Sequence, residues 1–74
     1  MEFNVFIEKF AEAIEIENAE SLNETTNFRE LEEWSSLAVM LLVAFYDEEF
    51  GKQIGGAELR GCQTLQDLYK LAIE

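Results

Sequence analysis

Apolar residues recur at three- and four-residue steps at the start of the chain, at Phe3, Phe6, Ile7, Phe10, Ala13 and Ile14, with Glu8, Lys9, Glu12 and Glu15 between them. That spacing predicts an amphipathic helix whose apolar stripe faces a core. From Glu17 to Glu33 the pattern breaks into Asn, Ser, Thr and Glu, and only Leu22, Phe28, Leu31 and, just beyond, Trp34 suit packing. Structureless connections longer than ~12–15 residues are uncommon, so this one is expected to be functional or partly helical. Asn27 with Glu30, and Ser21 with Glu24, have the spacing of capping boxes that start short turns.

Ten consecutive apolar residues follow, Leu37 to Tyr46, then Asp47-Glu48-Glu49-Phe50-Gly51. They predict a second helix from about Ser36 to Phe50, stopped by Gly51, which readily takes the left-handed conformation. Gly55, Gly56 and Gly61 leave Ala57 to Arg60 room for only a short turn or helix. Thr64 is placed to cap a last helix whose Leu65, Leu68, Tyr69 and Ala72 form one face. No repeat or Pro-rich linker divides the chain. The expectation is one domain over residues 1–74, all-α, a small four-helix bundle with three main helices and one short one.

On the second helix, Val39, Leu42, Val43, Tyr46 and Phe50 fall within one stripe and are expected to be the deepest core face. The opposite face carries Leu37, Met40, Leu41, Ala44, Asp47 and Glu48, apolar in its first two turns and acidic only in its last. An exposed patch of that kind marks a partner surface, the alternative being that Leu37 or Leu41 is buried under the long loop.

Charge narrows the partners. Sixteen acidic residues against five basic ones give a formal net charge of -11, which repels nucleic acid and anionic membranes and favours basic docking patches. Screening of that self-repulsion is expected to raise the melting temperature as salt is added. The apolar run is half the ~20 residues that span a bilayer, so no membrane span is expected. A lone Cys62 and an N-terminus of alternating Glu and aromatic residues point to the cytoplasm.

The junction Trp34-Ser35-Ser36-Leu37 holds the candidate chemistry. Ser35 suits the N-cap, its hydroxyl accepting from a free backbone N–H one turn in. Ser36 is then the first helical residue with its hydroxyl unspent, and a phosphate ester there lies against the positive end of the helix dipole. Spacing alone is equally served by two serines that merely cap a helix.

The Ser-Leu pair near mid-chain, the helix ending in acidic residues and Phe-Gly, and the overall length together resemble an acyl carrier protein. Phe45-Tyr46-Asp47-Glu48-Glu49-Phe50-Gly51 is similar to that family's helix ending, and Thr64-Leu65-Gln66-Asp67-Leu68 to the start of its last helix. The family carries 4'-phosphopantetheine on the serine of an Asp-Ser-Leu motif, often preceded by Trp, so the resemblance implies covalent attachment at Ser36. It further implies a non-catalytic shuttle for an acyl thioester in fatty acid, polyketide or related biosynthesis. Its partners would be a phosphopantetheinyl transferase and acyl-activating or acyl-transferring enzymes with basic patches that dock on the second helix, and it would act as a monomer. An apolar space lined by Phe28, Val39, Val43 and Leu65 would shelter the acyl chain, if those residues are not plain core. Two positions depart from the family. Ser35 replaces the Asp whose charge the transferase is thought to use, which leaves slow modification, a dedicated transferase, or no modification open. Leu41 stands where many members are acidic.

Without histidine, Ser/His and Cys/His nucleophile pairs and the common zinc sets are impossible. Cys62 reads as a small buried hydrophobe, and the acidic clusters lack the spacing of a calcium loop. The reading from a different class is an unmodified bundle that docks a basic partner through its second helix.

Overall fold

The helices form where apolar residues demand burial, and α1 and α2 each end at a residue in the left-handed conformation. The computed structural model describes residues 1–74 and contains α1 (Phe3–Ala13), α2 (Ser36–Phe50), α3 (Gly56–Arg60) and α4 (Leu65–Ile73), with no strand. This is a small all-α bundle, and α1 packs against both α2 and α4. Seventeen buried apolar residues form one cluster, in a molecule of 27 × 26 × 20 Å.

α1 contributes Phe6, Ile7, Phe10 and Ala11 to the core, followed by Ile14 just past its end. Its chain reverses through Glu15, which takes φ +61°, while the Ile16 N–H donates to the Ala11 carbonyl at 2.8 Å. α2 ends at Gly51 with φ +63°, where a residue without Cβ carries no steric penalty. α4 buries Leu65, Leu68 and Ala72. The Tyr46 hydroxyl donates to the Leu68 carbonyl and so ties α2 to α4. Burial first, then the neighbouring Cys62, pushes that phenol far above its ordinary value.

The core face of α2 differs from the stripe expected. Ala38, Leu42, Phe45 and Tyr46 are buried, whereas Val39, Val43 and Phe50 are half-buried. The buried face is thus rotated by roughly 70° at 3.6 residues per turn. α2 is apolar nearly all round in its first three turns, so periodicity had no polar edge to locate the stripe; packing against α1 on one side set it instead.

The connection from α1 to α2 holds two 3₁₀ turns, Ala19–Ser21 and Phe28–Glu30. Neither is started by a capping box. The Ser21 hydroxyl points back to the Asn18 carbonyl at 2.9 Å and closes its turn rather than opening one. Asn27 Oδ1 accepts from the Arg29 N–H at 3.0 Å, because the Glu30 N–H is already used by the Asn27 carbonyl at 3.1 Å. Leu22 and Phe28 pin the segment to the core.

Candidate functional site

The site is built where the long connection hands over to α2. Trp34 is half-buried and sets its ring edge-on to Phe28, with centroids 4.8 Å apart, while Phe28 itself is wholly buried. This pair fixes the place at which α2 begins. Arg29 holds the same segment from the other side. Its Nε and Nη2 donate to the Cys62 carbonyl at 3.3 and 3.1 Å, and Nη2 also donates to the Leu59 carbonyl. These carbonyls lie at and just beyond the C-terminus of α3, where a cation is favoured by the helix dipole. Nothing in the sequence pattern singles out Arg29, since its partners are backbone atoms some thirty residues away.

Ser35 is the N-cap of α2. Its backbone is extended (φ −157°), and its Oγ accepts from the Ala38 N–H at 3.2 Å. Its carbonyl accepts from the Val39 N–H at 3.0 Å. Ser36 is the first residue of the helix and is exposed. The N–H groups of Ser36 and Leu37 have no partner within the chain, and the first turn of α2 contains no acidic residue. An exposed hydroxyl therefore sits beside two unpaired donors at the positive end of a fifteen-residue helix.

Along α2, Leu37 and Met40 are 60% and 68% exposed, and Ala44, Asp47 and Glu48 are exposed as well. Leu41 differs from them: it is half-buried at the margin between α1 and α2. Glu49 is turned toward α1, where its carboxylate meets Lys9 Nζ at 3.2 Å.

Phe28 and Leu65 are wholly buried, and Val39 and Val43 half-buried. The largest surface groove is lined by none of these four; it runs between α1 and α2, with a volume of about 460 Å³. Cys62 is buried and unpaired. Burial pushes its thiol above the usual range, the Asp67 carboxylate adds to the shift, and Arg29 opposes it, so the thiolate needed for reactivity is disfavoured. No group of three or more His, Cys, Asp or Glu side chains is gathered to hold a metal ion. No helix is long and apolar enough to cross a membrane.

The family model described as "Phosphopantetheine attachment site" matches residues 4–72. The chain belongs to this family and is a carrier domain of the acyl-carrier-protein type. No curated protein and no solved structure matches the chain. Carrier domains of this family hold a covalent 4'-phosphopantetheine and interact with enzymes, and they generally do no catalysis of their own. The start of α2 fits such a group: it offers an exposed hydroxyl for a phosphate ester and free N–H groups to face its oxygens.

Proposed function

We propose that Ser36 carries the arm and that the chain presents an acyl group to partner enzymes of fatty acid, polyketide or related biosynthesis in the cytoplasm. The observation that supports this is the division of labour between the two serines. Ser35 is committed to the Ala38 N–H, so esterifying it would sacrifice a cap worth ~1 kcal/mol. Ser36 is exposed and heads the helix, so an ester there adds charge where the dipole favours it. The arm supplies a thiol that holds the acyl group as a thioester. The chain's own residues orient its root, present Leu37, Met40, Leu41, Ala44, Asp47 and Glu48 for docking, and attract basic partners over distance.

Intact mass after incubation with coenzyme A and a broad-specificity phosphopantetheinyl transferase tests the assignment. One phosphopantetheinyl addition, kept in Ser35→Ala and lost in Ser36→Ala, is the expected result. No addition with several transferases would leave the second reading, an unmodified module that docks a basic partner through α2. That reading is favoured by one feature, the absence of an acidic side chain in the turn that a transferase would read.

A further inference from the structure

Two surface grooves meet at one side chain. A small one of about 200 Å³ lies beside Ser35 and is lined by Ile14, Leu37, Ala38 and Leu41, together with Glu15 and Glu33. The larger groove of about 460 Å³ continues between α1 and α2, with Leu41, Ala44 and Phe45 as apolar lining and Glu12, Glu48 and Glu49 as polar lining. Leu41 belongs to both, so together they make one track that leaves the root of α2 and follows the helix. Ser36 itself lines neither groove, but the rise along α2 from Ser36 to Ala44 is about 12 Å at 1.5 Å per residue, within reach of an extended phosphopantetheine arm rooted there. The interior side is closed by contrast. Phe28, Leu42, Tyr46, Leu65 and Leu68 have no exposed surface, and the Tyr46 hydroxyl bonded to the Leu68 carbonyl bars the α2–α4 seam.

We infer that the α1–α2 track holds the pantetheine arm and a neutral, apolar acyl group against the outside of the bundle, and disfavours acyl groups that end in a carboxylate. The inference rests on Ser36 as the point of attachment. The chemistry of arm and track is complementary. Pantetheine is uncharged and bears amide N–H and hydroxyl donors, for which the Glu carboxylates are acceptors. Its methyl and methylene groups and those of the acyl chain are removed from water by Leu41, Ala44 and Phe45. The lysine of the track, Lys9, is already paired with Glu49 at 3.2 Å. A carboxylate at the end of the cargo would therefore meet Glu12, Glu48 and Glu49 with no free cation, and be repelled. Because Leu37, Leu41 and Ala44 also belong to the proposed docking face, an enzyme seated there displaces the cargo from the track and frees the thioester.

Amide and methyl NMR of the octanoyl-loaded protein tests this against the unacylated, pantetheine-bearing form. Resonance shifts confined to Ile14, Leu41, Ala44 and Phe45 are expected, with contacts from the octanoyl chain to the same residues. Ala44→Glu, a change at an exposed position, should remove those shifts while the rest of the spectrum stays in place. Loading with a chain of equal length that ends in a carboxylate should leave the track at its unacylated shifts. Octanoyl contacts to Phe28, Leu65 or Leu68, or no change along the track, would overturn the inference. A protein that gains no mass on loading would instead sink the assignment of Ser36. The track is then judged by the same shifts on the Ser36→Cys, Cys62→Ala protein alkylated with N-octylmaleimide.

Discussion

Two helices of this molecule start on a hydroxyl cap after a stretch of polar chain, yet their N-termini have opposite characters. At α4 every early donor is spent. The Thr64 hydroxyl accepts from the Asp67 N–H at 3.3 Å, and the Leu65 and Gln66 N–H groups donate to the Thr26 and Glu24 carbonyls at 3.0 and 3.2 Å. The Asp67 carboxylate turns back to accept from the N–H groups of Gln63 at 2.9 Å and Thr64 at 3.0 Å. At α2 the cap takes only the Ala38 N–H, and the donors of Ser36 and Leu37 face outward without partners. The same capping chemistry thus makes a sealed joint in one place and an open anion seat in the other. What separates them is whether another segment of backbone crosses the helix end.

The joint at α4 depends on the loop that Phe28 anchors. Phe28→Ala should remove both its core contact and the platform for Trp34, at a cost of about 3–5 kcal/mol, a large share of the ~5–15 that a small domain holds. Denaturant unfolding reads it, and a loss under ~1 kcal/mol would mean that the joint holds without its anchor. Thr64→Ala and Ser35→Ala should each cost about 1 kcal/mol, or ~4–8 °C in melting temperature for a domain of this size. They should part in function, since only the second alters the surroundings of Ser36.

The pH dependence sharpens the contrast. Backbone N–H groups of Gln63 and Thr64, assisted by the Thr64 side chain and Lys70, hold the Asp67 carboxyl below its ordinary value of 3.8. A carboxyl depressed by folding adds stability that is present above its unfolded value and lost as pH falls through the folded one. The melting-temperature gap between the wild type and Asp67→Asn should therefore be full at neutral pH and close below 3.8; a gap that persists in acid would mean that the carboxylate charge is not what seals α4. The smallest effect is expected from Ser35→Asp. It keeps the cap and adds a negative charge at the open helix end, for a gain of about 0.3–1 kcal/mol. If the missing charge limits recognition, the initial rate of arm addition, measured by mass, should rise; an unchanged rate would show that the transferase reads the surface elsewhere.

Much of the bundle is legible in the order of residues alone. The stripe from Phe3 to Ile14, the stop at Gly51, the glycines around the short α3 and the cap at Thr64 each act through neighbours within a turn or two, and such local rules hold before any tertiary contact forms. Ser35 and Ser36 could be told apart for the same reason, because cap and first helical position are defined by the helix that follows them. The sequence by itself therefore determined where α2 begins and ends, where α4 is capped, and which serine stands free at the start of α2. The buried face of α2 was settled only in three dimensions, since a helix apolar on nearly all sides has no preferred stripe until α1 packs against it. The same holds for the seat of Arg29 on the carbonyls of Leu59 and Cys62, for the crossing of Thr26 and Glu24 over the start of α4, and for the groove that Leu41 shares with α1. Each of these joins backbone or side chains distant in sequence, and short-range periodicity carries no information about which distant segment will supply the partner.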